Sequence, residues 1–178
     1  METLENIYTR RSIRVYEDRP ISQDLLEQIL STALMAPSWK NTQTANYILA
    51  LPTSPLWGSI LDCLPSFNRK TASTAQALVI MTTKKARCGY ERDGSFSTKK
   101  EDRWEMFDAG IAAQTLCLAA WENGIGSCIM GIYDEEQLPR LLNIPEDLYI
   151  TAVISLGYPG ETPNAPKRKT LEEKVRYV

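Results

Sequence analysis

One helical stretch near the middle of the chain constrains the fold more than any other feature. Residues 104–123 are dense in alanine and apolar on most sides of a 3.6-residue period. A helix without a continuous polar face is stable only where other parts of the protein cover it on most sides. We therefore predict that this helix is buried within a layered domain and that Asn123 and Gly124 end it.

Four strand-like runs alternate with shorter helical patterns around that helix. Strands are predicted at 47–51, 77–83, 127–132 and 149–156, and the first two are expected to pair in one sheet. Helices are predicted at 4–9, from the N-cap Ser22 to a stop at Pro37, from Pro55 to Leu61, and from the cap Asp134 to Leu142. Runs of this kind indicate an α+β or α/β layered domain. The 178 residues fit one domain, 1–178.

The charged stretch 84–103 is too long for an ordinary connection and has few apolar residues. We predict a surface excursion or lid, in which Tyr90 and Phe96 are candidates for contact with a ligand. The C-terminal tail is polar and is predicted to be extended.

Composition excludes several functional classes. The chain has no histidine, which removes Ser-His-Asp and Cys-His catalysis and carboxylate-histidine metal sites. Twenty basic against 22 acidic residues give a net charge of −2, so no general positive field holds nucleic acid. The four cysteines lack redox-pair or zinc-site spacing, and no metal is expected. Without a membrane or signal segment in the pattern, a cytoplasmic location is expected.

Two short motifs are candidates for ligand binding. The run RRSIR places Arg10, Arg11, Ser12 and Arg14 in one turn, where guanidinium groups and a hydroxyl suit a phosphate. Its alternative is a solvated basic patch at a helix end. A second basic cluster, which includes Lys167 and Arg168, favours the phosphate interpretation.

The second motif is the loop PSWKNTQT at 37–44. Ser38, Asn41 and Gln43 offer donors and acceptors suited to the edge of a polar heterocycle. The alternative is an ordinary helix-to-strand loop, because these residue types are common in turns.

Five motifs occur together in an order and spacing typical of one family. They are RRSIRVY, LMAPSWKNTQ, DAGIAAQTLCLAAWENGIGSC, VISLGYPGE and KRKTLEEKV. Together they resemble the nitroreductase family of flavin mononucleotide (FMN) enzymes over nearly the whole chain. The resemblance implies a three-layer α/β/α sandwich of the α+β class with a mixed, mainly antiparallel sheet. It also implies an obligate homodimer in which residues 174–178 form a strand exchanged with the partner subunit.

The same resemblance assigns roles to particular residues. Arg10, Arg11, Ser12, Lys167 and Arg168 resemble the phosphate site. Arg14 resembles the basic residue near flavin N1 and the C2 carbonyl, where a fixed cation favours the negatively charged reduced ring. The loop residues Pro37, Ser38, Trp39, Asn41 and Gln43 resemble the segment that reaches the flavin of the neighbouring subunit. Met130 and Gly131 match the strand end near the reactive N5 edge.

The implied function is an FMN-dependent oxidoreductase. Hydride from NADH or NADPH passes through flavin N5 to an electron-poor acceptor such as a nitroaromatic or quinone, with ping-pong kinetics and no catalytic side chain. Two departures affect substrate preference: the loop lacks the Pro-Trp of the common NxQPW pattern, and Thr115 replaces a common Asn. The alternatives are a non-catalytic flavin-binding or sensor protein and a related flavin dehalogenase or flavin-fragmenting enzyme.

Overall fold

The computed structural model describes residues 2–178, and a four-stranded antiparallel sheet lies at its centre. The strands are β1 (Ala45–Ala50), β2 (Ala77–Lys84), β3 (Gly126–Met130) and β4 (Leu148–Gly157), in the order β1-β2-β4-β3. The continuous apolar runs of β2 and β4 explain their central place, because a strand covered on both faces has no need for polar alternation. The predicted strands and the pairing of the first two are confirmed.

Helices cover both faces of the sheet. They are α1 (Thr3–Thr9), α2 (Gln23–Ala33), α3 (Trp57–Asp62), α4 (Ser66–Ala72), α5 (Arg103–Glu122), α6 (Gln137–Leu141) and α7 (Leu171–Lys174). On one face Val79 and Ile154 pack with α2 and α5, and on the other Ile80 and Val153 pack with α3, α4 and α6. This arrangement confirms the α+β class and the three layers.

The N-terminal segment after α1 is fixed along the outer edge of β3. Ser12 forms a parallel bridge with Ser127, and the backbone N–H of Ile13 donates to the Ser127 carbonyl at 3.0 Å. Gly126 permits this approach, because a Cβ atom there would lie 2.6 Å from Cγ1 of Ile13. Further along, the buried Tyr16 hydroxyl bonds to Ser155 Oγ at 2.8 Å. The arginines of this segment are therefore held in place by the sheet.

A β-bulge changes the direction of β4 beside α5. Met81 pairs with Ala152 while Thr82 pairs with Ile150, so Thr151 has no partner in the register. The Thr151 hydroxyl instead donates to the Met81 carbonyl at 3.0 Å. Bulges of this kind bend a strand and redirect its side chains, and Thr151 here faces a cavity between β4 and α5.

Several predicted details are wrong. Helix α3 begins at Trp57 instead of Pro55, because the N–H of Trp57 bonds back to Ser54 in a preceding turn. Helix α4 was not predicted, since the polar residues at its centre obscure its period. The tail is helical at Leu171–Lys174, where Thr170 and Glu173 form a capping box. Lys174 therefore belongs to a helix and not to the predicted exchanged strand, whereas the pairing of residues 175–178 with a partner subunit stays a prediction.

Two further expectations need correction. Helix α5 is not covered on most sides within the single chain, because Met106 and Phe107 are more than half exposed. The stretch 84–103 is largely exposed, but its base is buried: Cys88 is inaccessible, and a Cβ atom at Gly89 would lie 2.4 Å from the Glu101 carbonyl oxygen. Across residues 2–178, every helix is too short or too polar to cross a membrane.

Candidate functional site

Three arginines converge on a cavity of about 570 Å³ beside α1. Arg10 and Arg11 reach it from the RRSIR turn, and Arg168 reaches it from the tail. Arg11 is oriented by hydrogen bonds from its Nη1 atom to the carbonyl oxygens of Tyr8 and Arg10, each at 2.8 Å. Among residues 2–178 the ion pairs involve other basic residues and leave these three without a carboxylate. The cavity therefore suits an anion with several oxygens, such as a phosphate.

The other residues predicted for the basic site, Ser12, Arg14 and Lys167, do not line this cavity. Ser12 is held in the bridge to Ser127, and Lys167 is exposed next to Arg168. The backbone N–H of Arg14 donates to Glu161 Oε1 at 2.6 Å, which ties the RRSIR turn to the segment after β4.

The charges of two arginines affect the pKa values of two buried thiols. Burial raises the pKa of Cys117 in α5, and the charge of Arg10 partly opposes that rise. Burial also raises the pKa of Cys128 in β3, and Arg14 partly opposes it. The bonds of Ser12 and Ile13 to Ser127 hold this arginine-bearing segment beside β3.

A trough continues from the basic cavity along one side of α5. Gln114 lines both the basic cavity and a second cavity of about 200 Å³, whose other walls include Gly110, Ala113 and Ile129. A Cβ atom at Gly110 would meet nothing within 4 Å, so the helix surface is open there. Small side chains of α5 thus leave a flat, apolar floor between helix and sheet.

The trough ends in a third cavity of about 600 Å³, which shares Met106 and Thr151 with the second. Gly131 lines it directly after β3, as the predicted strand-end position requires, whereas Met130 is buried beneath the sheet surface. Tyr133 and Tyr149 also contribute to its wall. The Tyr133 hydroxyl donates to the Ile150 carbonyl at 2.6 Å and so keeps this wall in place.

The loop 37–44 has an unusual backbone. Lys40, Asn41 and Gln43 all have positive φ angles, of 46°, 56° and 51°. Side chains other than Asn and Gly rarely adopt this region, and such strain collects where a site requires a particular shape. Inside the loop, Ser38 Oγ accepts a bond from the N–H of Gln43 at 2.9 Å.

Contacts with α5 and with the 84–103 excursion hold the outside of the loop. The ring of Trp39 lies 4.3 Å from the ring of Trp104 in α5, and Lys40 pairs with Glu91 of the excursion at 2.8 Å. Buried polar atoms of Trp39, Thr42 and Tyr47 lack a hydrogen-bond partner within the described chain. The loop region is therefore a place that a further molecule would complete.

Two buried carboxylates on α5, which sequence reasoning missed, hold the base of the excursion. Glu105 Oε1 accepts a bond from the N–H of Ala86 at 2.7 Å, and Asp108 Oδ2 accepts one from the thiol of Cys88 at 2.9 Å. Burial raises the pKa of Glu105, and burial with the Asp108 carboxylate raises that of Cys88 to about 12. The i, i+3 spacing is visible in the sequence, but nothing in it identifies the partners of these side chains.

The predicted site residues fall into two groups on opposite sides of α5. Pro37, Ser38 and Gln43 line a separate cavity of about 200 Å³ together with Asp108. On a helix, Asp108 points away from the stripe of Met106, Gly110 and Gln114 that forms the trough. Trp39 and Asn41 belong to the same loop but do not line its cavity. Within one chain, the loop and the basic cluster therefore do not share a cavity.

The described residues contain no group of three His, Cys, Asp or Glu side chains able to hold a metal ion.

Comparisons with known proteins find similarity to one protein family. The family model of the Nitroreductase family matches residues 7–158. A provisionally named NADH dehydrogenase/NAD(P)H nitroreductase from Archaeoglobus fulgidus is 36% identical over 164 residues, covering 90% of this chain and 87% of that protein. The FMN reductase [NAD(P)H] of Bacillus subtilis is 26% identical over 191 residues, covering 99% of this chain and 73% of that protein. A provisionally named nitroreductase from Desulfovibrio desulfuricans, crystallised with FMN, has a TM-score of 0.79 at 22% identity and covers 100% of this chain and 99% of its own.

Proposed function

The chain belongs to the nitroreductase family, and from that premise we propose that it is an FMN-dependent oxidoreductase. It would take hydride from NADH or NADPH and deliver it to electron-poor acceptors such as nitroaromatics or quinones. The observation that carries this proposal is the trough along α5. It joins a cluster of arginines without carboxylate partners to an open, apolar floor, which matches a molecule with a phosphate at one end and a planar ring at the other.

The residues present fit FMN. Arg10, Arg11 and Arg168 would hold its phosphate, with Ser12 and Lys167 nearby. The open surface at Gly110 would admit the ring, and Gly131 lies at the far end of the trough. When bound, FMN supplies the hydride chemistry, which explains why a chain without histidine needs no catalytic side chain.

The protein's own contribution is position and charge. Arg14 follows Ile13, whose N–H bonds to Ser127 of β3, and its fixed cation would favour negative charge on a bound ring. The trough has one floor, formed by α5 and β4, so donor and acceptor would use the same place in turn. We therefore expect ping-pong kinetics, with parallel lines when the donor concentration is varied at several fixed acceptor concentrations.

We further propose that the active unit is a homodimer. Loop 37–44 and the basic cluster lie on opposite sides of α5 in one chain, so both contribute to one flavin site only if two chains combine. Met35, Met106 and Phe107 are 80%, 57% and 59% exposed, and a partner would cover them. Residues 175–178 are then free to pair with the partner's sheet.

Three further predictions belong to this proposal. Residues 1–178 act as one FMN-binding domain, and the excursion 84–103, which contacts loop 37–44, serves as a lid of the flavin site. A cytoplasmic location agrees with four cysteines that are all buried and unpaired.

An absorbance spectrum of the purified protein, before and after anaerobic addition of NADH or NADPH, tests the proposal. A flavin band that either donor bleaches is the expected result. A band that persists with both donors would favour a flavin-binding protein without catalysis. A colourless protein that takes up no added FMN would overturn the assignment.

A further inference from the structure

The buried carboxylate of Asp108 connects two segments that are far apart in the chain. Its Oδ2 atom accepts hydrogen bonds from the backbone N–H of Trp39 at 2.8 Å and from the thiol of Cys88 at 2.9 Å. Asp108 is only 4% exposed, and no ion pair recorded among residues 2–178 includes it. A buried carboxylate is costly unless donors compensate it, and of its two donors the N–H of Trp39 is the one that belongs to loop 37–44.

The loop next to Asp108 needs such an attachment. Lys40, Asn41 and Gln43 all have left-handed backbone conformations. Such a conformation costs free energy and persists only where contacts with the surrounding structure maintain it. The bond between Ser38 Oγ and the N–H of Gln43 shapes the loop internally but does not attach it to the helix layer. The bond from Trp39 N–H to Asp108 makes that attachment, at the residue that precedes the left-handed turn.

We propose that Asp108 is a positioning residue for the flavin site. Its carboxylate fixes loop 37–44 in the shape that presents Ser38, Asn41 and Gln43 to the FMN of the partner subunit. This inference rests on the proposed function. Asp108 acts through the N–H of Trp39 and lies on the side of α5 away from its own chain's trough.

Three variants test the proposal by FMN titration of the flavin-free protein. Asp108→Ala removes both bonds, and we expect the Kd for FMN to rise by roughly ten- to hundredfold. Asp108→Asn keeps an oxygen acceptor without the charge, and its Kd should lie between those of wild type and Asp108→Ala. Cys88→Ala is the matched control, because it removes the thiol bond and leaves the Trp39 bond; its Kd should equal that of wild type. An Asp108→Ala or Asp108→Asn protein with wild-type affinity would overturn the proposal.

A measurement without flavin separates this inference from the proposed function. Amide hydrogen exchange of residues 38–43 in the flavin-free protein should be faster in Asp108→Asn than in wild type, while exchange in β2 stays the same. Unchanged exchange in the loop would overturn the attachment by Asp108. If wild type takes up no FMN while loop exchange responds to the substitution, the proposed function fails and the attachment stands.

Mixed dimers test whether the loop acts on the partner's site. Chains carrying Arg10→Ala and chains carrying Asp108→Ala are co-expressed with different tags and purified as the mixed species. In that species one site combines the intact Arg10 of the Asp108→Ala chain with the intact loop of the Arg10→Ala chain. The flavin content should therefore be half the wild-type value, whereas homodimers of either variant should bind little flavin. If the loop served its own chain, both sites would be defective. A mixed dimer without flavin would therefore overturn the proposal.

Discussion

At the scale of single residues, the phosphate assignment rests on charge that the chain itself leaves uncompensated. Arg10, Arg11 and Arg168 line one cavity, and no ion pair recorded among residues 2–178 neutralises them. Bringing three cations together costs free energy when no anion is bound. A bound phosphate relieves that repulsion, so the affinity for FMN should depend strongly on each arginine.

We expect Arg10→Ala to raise the Kd for FMN by roughly ten- to hundredfold, because one charge-assisted contact is lost. The melting temperature of the flavin-free protein should not fall, because the substitution also removes one of three mutually repelling charges. Fluorescence titration with FMN measures the first quantity and calorimetry the second. Arg140→Ala is the control with the same loss of charge, because Arg140 is exposed and its ion pair among residues 2–178 is with Glu136, four positions earlier. Equal affinity in both variants would show that the cavity does not hold the phosphate.

A second residue-scale prediction concerns the contact that positions the RRSIR turn. In Gly126→Ala the new Cβ atom would lie 2.6 Å from Ile13, which forces that segment away from β3. We expect a loss of about 1–3 kcal/mol in the free energy of unfolding, together with weaker FMN binding. Gly58→Ala is the control, since a Cβ atom there meets nothing within 4 Å. Denaturant titration compares the two, and equal stability would contradict the proposed crowding.

At the scale of elements, α5 combines a structural and a binding role. Its alanines pack against the sheet, while Gly110 leaves an opening on the trough side. Glycine inside a helix is costly, so its presence where nothing crowds a Cβ atom suggests that space is kept for a ligand.

Gly110→Ala should therefore separate stability from binding. We expect the flavin-free protein to gain about 0.5–1 kcal/mol in stability, because alanine favours the helix. FMN affinity should fall, because the methyl group projects into the second cavity. Thermal melts and FMN titration of the same samples measure both effects. Unchanged affinity would show that the ring does not lie against this part of α5.

A pH prediction belongs to the start of α6. Backbone N–H groups of Gln137 and Glu136 donate to Asp134 and lower the pKa of its carboxyl. A lowered folded-state pKa means that the ionised group stabilises the fold above its unfolded pKa of about 3.9, and that this contribution is lost as the pH falls through the folded value. The stability difference between wild type and Asp134→Ala, measured by denaturant unfolding, should therefore be present at neutral pH and shrink in acid. A difference that grows in acid would contradict this assignment.

At the scale of the whole molecule, the tail connects the chain to its proposed partner. Residues 171–178 are exposed, and Tyr177 is 82% exposed, so their removal should leave the flavin-free fold intact. Truncation after Thr170 retains Lys167 and Arg168 but is expected to weaken the dimer and lower its flavin content. Light scattering with flavin absorbance measures both.

Glu173→Ala is the control for the truncation, because it breaks the capping box of α7 and leaves 175–178 in place. A truncated protein that remains dimeric at the wild-type dissociation constant would show that the tail does not hold the two chains together.

The sequence by itself determined the layered α+β architecture, the four strands and most helices, and it singled out three arginines that line one cavity. These features depend on local periodicity, capping residues and clusters of charge, which a single stretch of chain displays. Helix α4 was missed because the polar residues at its centre obscure its period. Helix α7 was missed because its four residues are too few to show a period, although the Thr170–Glu173 capping box is visible in the sequence.

Only the tertiary structure decided how the site is assembled. The trough exists because α5, the bulge at Thr151 and the segment after α1 meet. The bonds of Asp108 join α5 to Trp39, 69 positions earlier in the chain, and to Cys88, 20 positions earlier. Contacts between distant positions leave no periodic pattern in a sequence. Packing alone determines on which side of α5 each cavity lies. The proposal that two chains form one flavin site depends on that arrangement.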